Sequence, residues 1–142
     1  MEVTAQYNEA IAALIVRVIL GLLFLFQGYD AIFRVKVHNI IETYGGAFAS
    51  KGIPAFLTTA GTWFTSLTEL IGGSMLVLGL CEPVALCLLG ANLLVASIAF
   101  SAATPMWDMK HVFPRLAMLV FLLLAPVHWN ILSIDHILAN IK

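Results

Sequence analysis

The sequence predicts an all-α integral membrane protein, an antiparallel four-helix bundle with short interfacial helices. Of the 142 residues, 61% are hydrophobic and only 11% are charged, whereas about a quarter of a soluble globular chain is charged. The chain shows no alternation of polar and apolar residues typical of a membrane strand. Four apolar stretches approach or exceed the roughly 20 residues that a membrane-crossing helix needs. These spans cover residues 10–33, 57–80, 83–104 and 111–130 of one membrane domain, 1–142.

Charge, cysteine and histidine placement exclude several classes of function. The net charge is −1 and the seven Lys and Arg residues form no basic block, so we expect no nucleic-acid partner. Cys81 and Cys87 lack CxxC spacing, which favours two small apolar residues over a redox pair. The four histidines are predicted to lie near opposite membrane surfaces, and none belongs to a zinc-like cluster. We therefore expect no metal ligands.

The first span carries a buried charge among small residues. Arg17, Gly21, Phe24 and Gly28 recur at helical spacing and share one face. Two glycines on that face are typical of helices that approach closely within a membrane. Gln27 lies near the far end of the span, at the depth of the membrane interface.

The second span holds an acid near its middle and hydroxyl side chains in its first half. A charged Glu69 at that depth costs about 2.5 kcal/mol or more if it is unpaired. The hydroxyls have two interpretations: they bond back to carbonyls of their own helix, or they form the polar wall of a cavity. These residues are Thr58, Thr59, Thr62, Thr65, Ser66 and Thr68.

Two amphipathic stretches predict helices that lie along the membrane surface. The first covers residues 34–44 and is predicted to end at the Gly45-Gly46 pair. The second covers residues 133–141, with Ser133 as its cap. Between the second and third spans, residues 81–83 form a turn so short that these spans must be antiparallel neighbours.

Three polar residues are predicted to converge inside the bundle. Counted from the span ends, Arg17 lies about 10 Å deep, Glu69 about 16 Å and Asn92 about 13 Å, at about 1.5 Å per residue. We expect Arg17 and Glu69 to form an ion pair, with Asn92 within reach. Two roles stay open: a structural clasp, or a site for a head group, a proton or an electron-carrier ring.

Short motifs in three parts of the chain resemble one family. The motif residues are Arg17, Leu20, Gly21, Phe24 and Gly28, then Glu69, Gly72, Gly73, Leu76 and Gly79, then Ser133, Asp135 and Leu138. With four predicted spans, the chain resembles the DoxX family of small bacterial membrane proteins over nearly its whole length. Many DoxX members have His before the glycine that ends the first motif. Gln27 stands there in this chain, which weakens the carry-over of a titrating role.

The resemblance implies a location in the bacterial cytoplasmic (inner) membrane, as a multi-pass protein, and a link to redox chemistry. Some relatives are subunits of a thiosulfate:quinone oxidoreductase, and others are linked to thiol and oxidative-stress systems. More distant eukaryotic relatives act in protein export from the endoplasmic reticulum. We therefore expect quinone or lipid as a ligand that is not covalently bound. The expected partners are membrane lipids, a redox protein that supplies electrons, and a second copy of the chain.

The sequence is compatible with three functions. The first is a quinone- or lipid-binding membrane subunit of a redox or oxidative-stress system. The second is a non-enzymatic assembly or binding protein, and the third is a small proton-coupled transporter, for which no inverted repeat is visible. Whether the chain is an enzyme stays open with them. The predicted ligand-binding residues are Arg17, Gln27, Thr65, Glu69 and Asn92.

Overall fold

The computed structural model describes residues 2–103 and 112–140, and every regular element in these ranges is helical. The α-helices are α1 (Glu2–Tyr29), α2 (Val37–Ser50), α3 (Ala55–Leu78), α4 (Glu82–Ala103), α5 (Phe113–Leu124) and α6 (Ile134–Asn140). A π-helical segment, Asp30–Arg34, follows α1, and a 3-10 helix, Val127–Leu132, connects α5 to α6. The predicted all-α class is confirmed.

Four of these helices, α1, α3, α4 and α5, pack as an antiparallel bundle. Contacts between α1 and α3 run in opposite chain directions: Gly21 of α1 faces Val77 of α3, whereas Gly28 faces Leu70. The core is a single apolar cluster, because each helix turns one stripe of aliphatic or aromatic residues inward. Its buried members are Leu20, Phe24, Leu76, Ala85, Leu86, Leu89, Leu93, Val112, Leu119 and Leu122.

Two described helices are long and apolar enough to cross a membrane. They are Tyr7–Arg34, which is most of α1 with the π-helical segment, and Glu82–Ala103. The third long helix, α3, has 24 residues, enough for about 36 Å at 1.5 Å per residue. The hydroxyl-rich first half of α3 lowers its mean hydropathy, so α3 is not one of the two helices above.

The first surface helix begins and ends later than predicted. Lys36 adopts a positive φ of 67° and interrupts the chain, so α2 begins at Val37. The expected end at the Gly45-Gly46 pair is wrong: α2 continues to Ser50. Glycine inside a helix costs only about 1 kcal/mol relative to alanine, which neighbouring turns outweigh. The helix ends before Gly52, which has a φ of 77°.

The turn between α3 and α4 has the predicted tightness. Gly79 ends α3 in the left-handed conformation, with a φ of 67° and a ψ of 42°. Its N–H donates to Leu76 O at 3.2 Å, and the N–H of Leu80 donates to Met75 O at 2.9 Å. This closure satisfies carbonyls that the helix end leaves free. Because α4 begins at Glu82, α3 and α4 are antiparallel neighbours.

The fourth helix is shorter than predicted. The expected span of 111–130 is replaced by α5, which has 12 residues and ends at Leu124. At about 1.5 Å per residue it is about 18 Å long, less than the bilayer core of about 30 Å. Ala125 is extended, with a ψ of 133°, because the residue before a proline is driven out of the helical region. Residues 104–111, which include the predicted end of the third span and the predicted start of the fourth, lie outside the described residues.

Candidate functional site

Helices α1 and α3 touch backbone to backbone at the level of Glu69. A Cβ atom on Gly28 would lie 2.4 Å from the backbone nitrogen of Leu70, and one on Gly73 would lie 2.5 Å from a backbone nitrogen of α1. No side chain fits at these distances, so only glycine permits the contact. The close approach holds Gln27, which precedes Gly28, beside Glu69.

The carboxyl group of Glu69 is buried and accepts two amide hydrogen bonds. Gln27 Nε2 on α1 donates to Glu69 Oε1 at 2.9 Å, and Asn92 Nδ2 on α4 donates to the same oxygen at 3.1 Å. Glu69 is 4% exposed and Asn92 is 1% exposed. Both bonds end on Oε1, so Oε2 receives neither of them. The amide oxygen of Asn92 is buried and has no hydrogen-bond partner among the described residues.

A cation from α5 faces the same space. The guanidinium of Arg115 lies over the ring of Phe24, 5.3 Å from its centroid. Arg115 and Glu69 attract each other electrostatically. Nevertheless, Arg115 and Glu69 do not form a direct ion pair: none of the ion pairs of the described chain, with N···O distances of 4.0 Å or less, joins these two side chains. A cavity of about 230 Å³ opens here, which we call the Glu69 cavity. It is lined by Gln27, Glu69, Ala96, Phe100, Val112 and Arg115.

The structure brings three of the five predicted ligand-binding residues together. Gln27, Glu69 and Asn92 form one hydrogen-bonded group, and the predicted proximity of Asn92 to Glu69 is confirmed. Thr65 is not among the residues that line the Glu69 cavity. Its hydroxyl donates to the carbonyl of Thr62 at 3.0 Å. That bond follows the first interpretation of the hydroxyls, in which they bond back to their own helix.

The predicted ion pair between Arg17 and Glu69 is wrong. Arg17 is 2% exposed, and its Nη1 lies 3.6 Å from Glu82 Oε2, a carboxylate oxygen that is also buried. The same nitrogen donates to Asn130 Oδ1 at 3.3 Å, and Nη2 donates to the carbonyl of Leu132 at 2.7 Å. We call this group of four residues the Arg17 clasp.

The register between α1 and α3 explains the difference. Arg17 is level with Gly79, since a Cβ atom on that glycine would lie 3.1 Å from Arg17 Cζ. Glu69 is level with Gly28, about 16 Å further along α1 at 1.5 Å per residue. Helical side chains also lean toward the N-terminus of their helix. In antiparallel α1 and α3 this tilt moves the two side chains apart.

The Arg17 clasp holds the C-terminal segment against the bundle. Leu132 belongs to the 3-10 helix that follows the short α5, so its carbonyl needs a donor from outside that helix. Asp135 adds two contacts to the α3–α4 turn: its N–H donates to Gly79 O at 3.1 Å, and its Oδ2 accepts from the Glu82 N–H at 3.4 Å. As predicted, Ser133 caps α6, accepting from the His136 N–H at 3.2 Å.

Two charged residues of these groups were not predicted as members. Glu82 was placed only in the short turn of residues 81–83, and Arg115 was not among the predicted ligand-binding residues. Helical periodicity would have found both. Glu82 shares a face with Leu89 and Asn92, and Arg115 shares one with the buried Leu119.

The described residues offer no cluster suited to a metal and no cysteine pair. No group of three or more His, Cys, Asp or Glu side chains there could hold a metal ion. Cys81 and Cys87 are both free and exposed.

Comparison with protein families supports the resemblance that the sequence motifs indicated. The DoxX family matches residues 12–102, which include most of α1, all of α2 and α3, and nearly all of α4. No curated protein and no solved structure matches the chain. The match covers more than half of the sequence and contains Arg17, Gln27, Glu69 and Asn92. The chain therefore belongs to the DoxX family and is a membrane protein.

Proposed function

We propose that this protein binds the ring of a quinone in the Glu69 cavity and serves as a membrane subunit of a redox system. The observation that carries the proposal is the separation of Glu69 from Arg115. Two opposite charges line one small space without direct contact. Such charges in the membrane-embedded part of a protein are expensive, so a polar ligand that occupies the space between them is favoured.

The size and lining of the cavity fit a single substituted ring. Its volume of about 230 Å³ is below the roughly 300–1,000 Å³ of pockets that enclose drug-sized molecules. Gln27 and Arg115 carry N–H donors for ring oxygens. Phe100 offers an aromatic face, and Ala96 and Val112 offer apolar contacts.

A long isoprenoid tail would lie outside this cavity, along the apolar surface of α4 and α5. Leu94 and Ile98 are each 69% exposed, and Phe113 is 62% exposed. In the proposed multi-pass topology, within the bacterial inner membrane, these side chains face lipid.

The described residues include no redox-metal site, so the proposed redox partner supplies or receives the electrons. A homodimer would place two such cavities in one assembly.

Binding of decylubiquinone to the protein in lipid nanodiscs tests this proposal. We expect saturable binding, because the ring gains hydrogen bonds to the half-buried donors Gln27 and Arg115. Arg115→Gln should weaken it about 10- to 100-fold, the effect of losing one hydrogen bond to a charged group. The matched control is Arg34→Gln, since the side chain of Arg34 is 72% exposed and pairs with Asp30 on the surface.

Three outcomes separate the alternatives. Equal affinity of Arg115→Gln and the unmodified protein would contradict the proposed position of the ring. A phospholipid that displaces decylubiquinone and loses affinity in Arg115→Gln would identify a lipid head group as the ligand instead. Absence of saturable quinone binding would remove the redox role and leave a non-enzymatic assembly protein.

A further inference from the structure

The Glu69 side of the cavity offers a hydrogen-bond acceptor. Glu69 Oε1 accepts from Gln27 Nε2 at 2.9 Å and from Asn92 Nδ2 at 3.1 Å. Arg115 lines the same cavity, and a cation there favours the ionised form of Glu69, in which both carboxylate oxygens only accept. Since Oε2 receives neither bond and Glu69 lines the cavity, that oxygen has capacity for one more donor. No other described residue donates to the Glu69 carboxylate, so a molecule in the cavity can supply this donor.

The Arg115 side offers only donors. A guanidinium has five N–H groups and no acceptor. The cation–π contact with Phe24, at 5.3 Å, occupies one face of the guanidinium and leaves its in-plane N–H groups for other partners. Phe24 is fully buried and Arg115 is half-buried, so this contact holds Arg115 at the edge of the core. A ligand group beside Arg115 must therefore accept a hydrogen bond.

We propose that the Glu69 cavity prefers a quinol, the reduced and hydroxyl-bearing ring, over the oxidised quinone. This inference depends on the proposed function. A quinol donates one O–H to Glu69 Oε2, and its other oxygen accepts from Arg115. A quinone has two carbonyl oxygens and no donor, so one of them would face the carboxylate, acceptor against acceptor. Sites built to bind a hydroxyl reject analogues that lack it, because the buried polar group is then left unpaired.

Substitution of Glu69 by Gln should change the preference in a defined direction. The amide side chain in Glu69→Gln retains an oxygen that accepts from Gln27 and Asn92. It replaces the second oxygen with an N–H₂ group, which donates. A donor at this position matches a quinone carbonyl and repels no ring oxygen. The variant should therefore lose the preference for quinol or reverse it.

The experiment compares dissociation constants of decylubiquinol and decylubiquinone, measured anaerobically in nanodiscs. The unmodified protein should bind the quinol about 10- to 100-fold more tightly, the effect of one hydrogen bond to a charged group. The ratio should fall to one or below in Glu69→Gln. Glu42→Gln is the matched control, because this acid on α2 has a 67% exposed side chain and should leave the ratio unchanged.

The dimethyl ether of the quinol provides a second test that needs no variant. It keeps the ring and both oxygens but has no O–H, so it should bind as weakly as the quinone. If Glu69→Gln does not fold, the affinities of quinol, quinone and dimethyl ether for the unmodified protein decide whether the cavity prefers the quinol. Equal affinities for quinol and quinone would overturn the preference while leaving quinone binding intact. Absence of saturable binding by either form would instead contradict the proposed function.

Discussion

Replacement of Arg17 by leucine should destabilise the protein through the Arg17 clasp. The substitution leaves Glu82, which is 5% exposed, as an uncompensated buried charge, and it removes the donor to the carbonyl of Leu132. Breaking a buried ion pair from one side costs about 3–5 kcal/mol. Whole domains are stable by only about 5–15 kcal/mol, so this loss is a large share of the total.

A pair of double-mutant cycles locates the partner of Arg17. We expect Arg17→Leu and Glu82→Leu to be coupled by about 0.5–3 kcal/mol, because the two side chains are in contact. We expect Arg17→Leu and Glu69→Leu to add within about 0.5 kcal/mol, because sites more than about 7–10 Å apart behave independently. The Glu69 cycle is thus the matched control for the Glu82 cycle.

Equilibrium unfolding in mixed detergent micelles measures both cycles, with helical circular dichroism as the signal. The double variant Arg17→Leu with Glu82→Leu should recover part of the stability that Arg17→Leu loses. Coupling between Arg17 and Glu69, together with additivity between Arg17 and Glu82, would refute the register that places Arg17 level with Gly79.

Three further predictions follow from glycine packing, hydroxyl bonding and thiol exposure. Gly28→Ala should lower the free energy of unfolding by about 1–3 kcal/mol in the same assay, because the new Cβ atom would meet the backbone of α3. Gly45→Ala is the control and should be neutral or stabilising, because a Cβ atom there would meet nothing within 4 Å. Thr65→Val should keep quinone affinity, because the Thr65 hydroxyl bonds to its own helix; a large loss would place that hydroxyl on the ligand. In single-cysteine variants, a water-soluble maleimide should label Cys81 in the α3–α4 turn faster than Cys87 on the apolar α4, and equal rates would contradict the burial of α4 in lipid.

Composition was enough to predict the fold class, because each apolar stretch of about 20 residues limits the chain to a helix in lipid. Helix ends were harder. The predicted fourth span, 111–130, includes Pro126, yet the helix ends before this proline, at Leu124. The sequence gives the position of a proline, but it does not show whether tertiary contacts stabilise a 3-10 helix after it. The donors from Arg17 supply those contacts here.

The candidate site was predicted in part for a related reason. The depth of Arg17 was counted from the predicted start of the first span, at residue 10. The helix that contains it, α1, begins at Glu2 instead. Glu69 and Asn92 were placed correctly because a short turn fixes the register of α3 against α4. No such turn connects α1 directly to α3, so the level of Arg17 depended on glycine contacts that only the folded chain reveals.

The most direct measurement is labelling by a quinone that carries a photoreactive group on its ring, followed by mass spectrometry of the labelled peptides. We expect labels on α4 between Ala96 and Phe100 and at Val112, just before α5, since these residues line the Glu69 cavity. Excess decylubiquinone and the Arg115→Gln substitution should both suppress the labels. Labels that resist competition, or that fall around the Arg17 clasp instead, would contradict quinone binding in the Glu69 cavity.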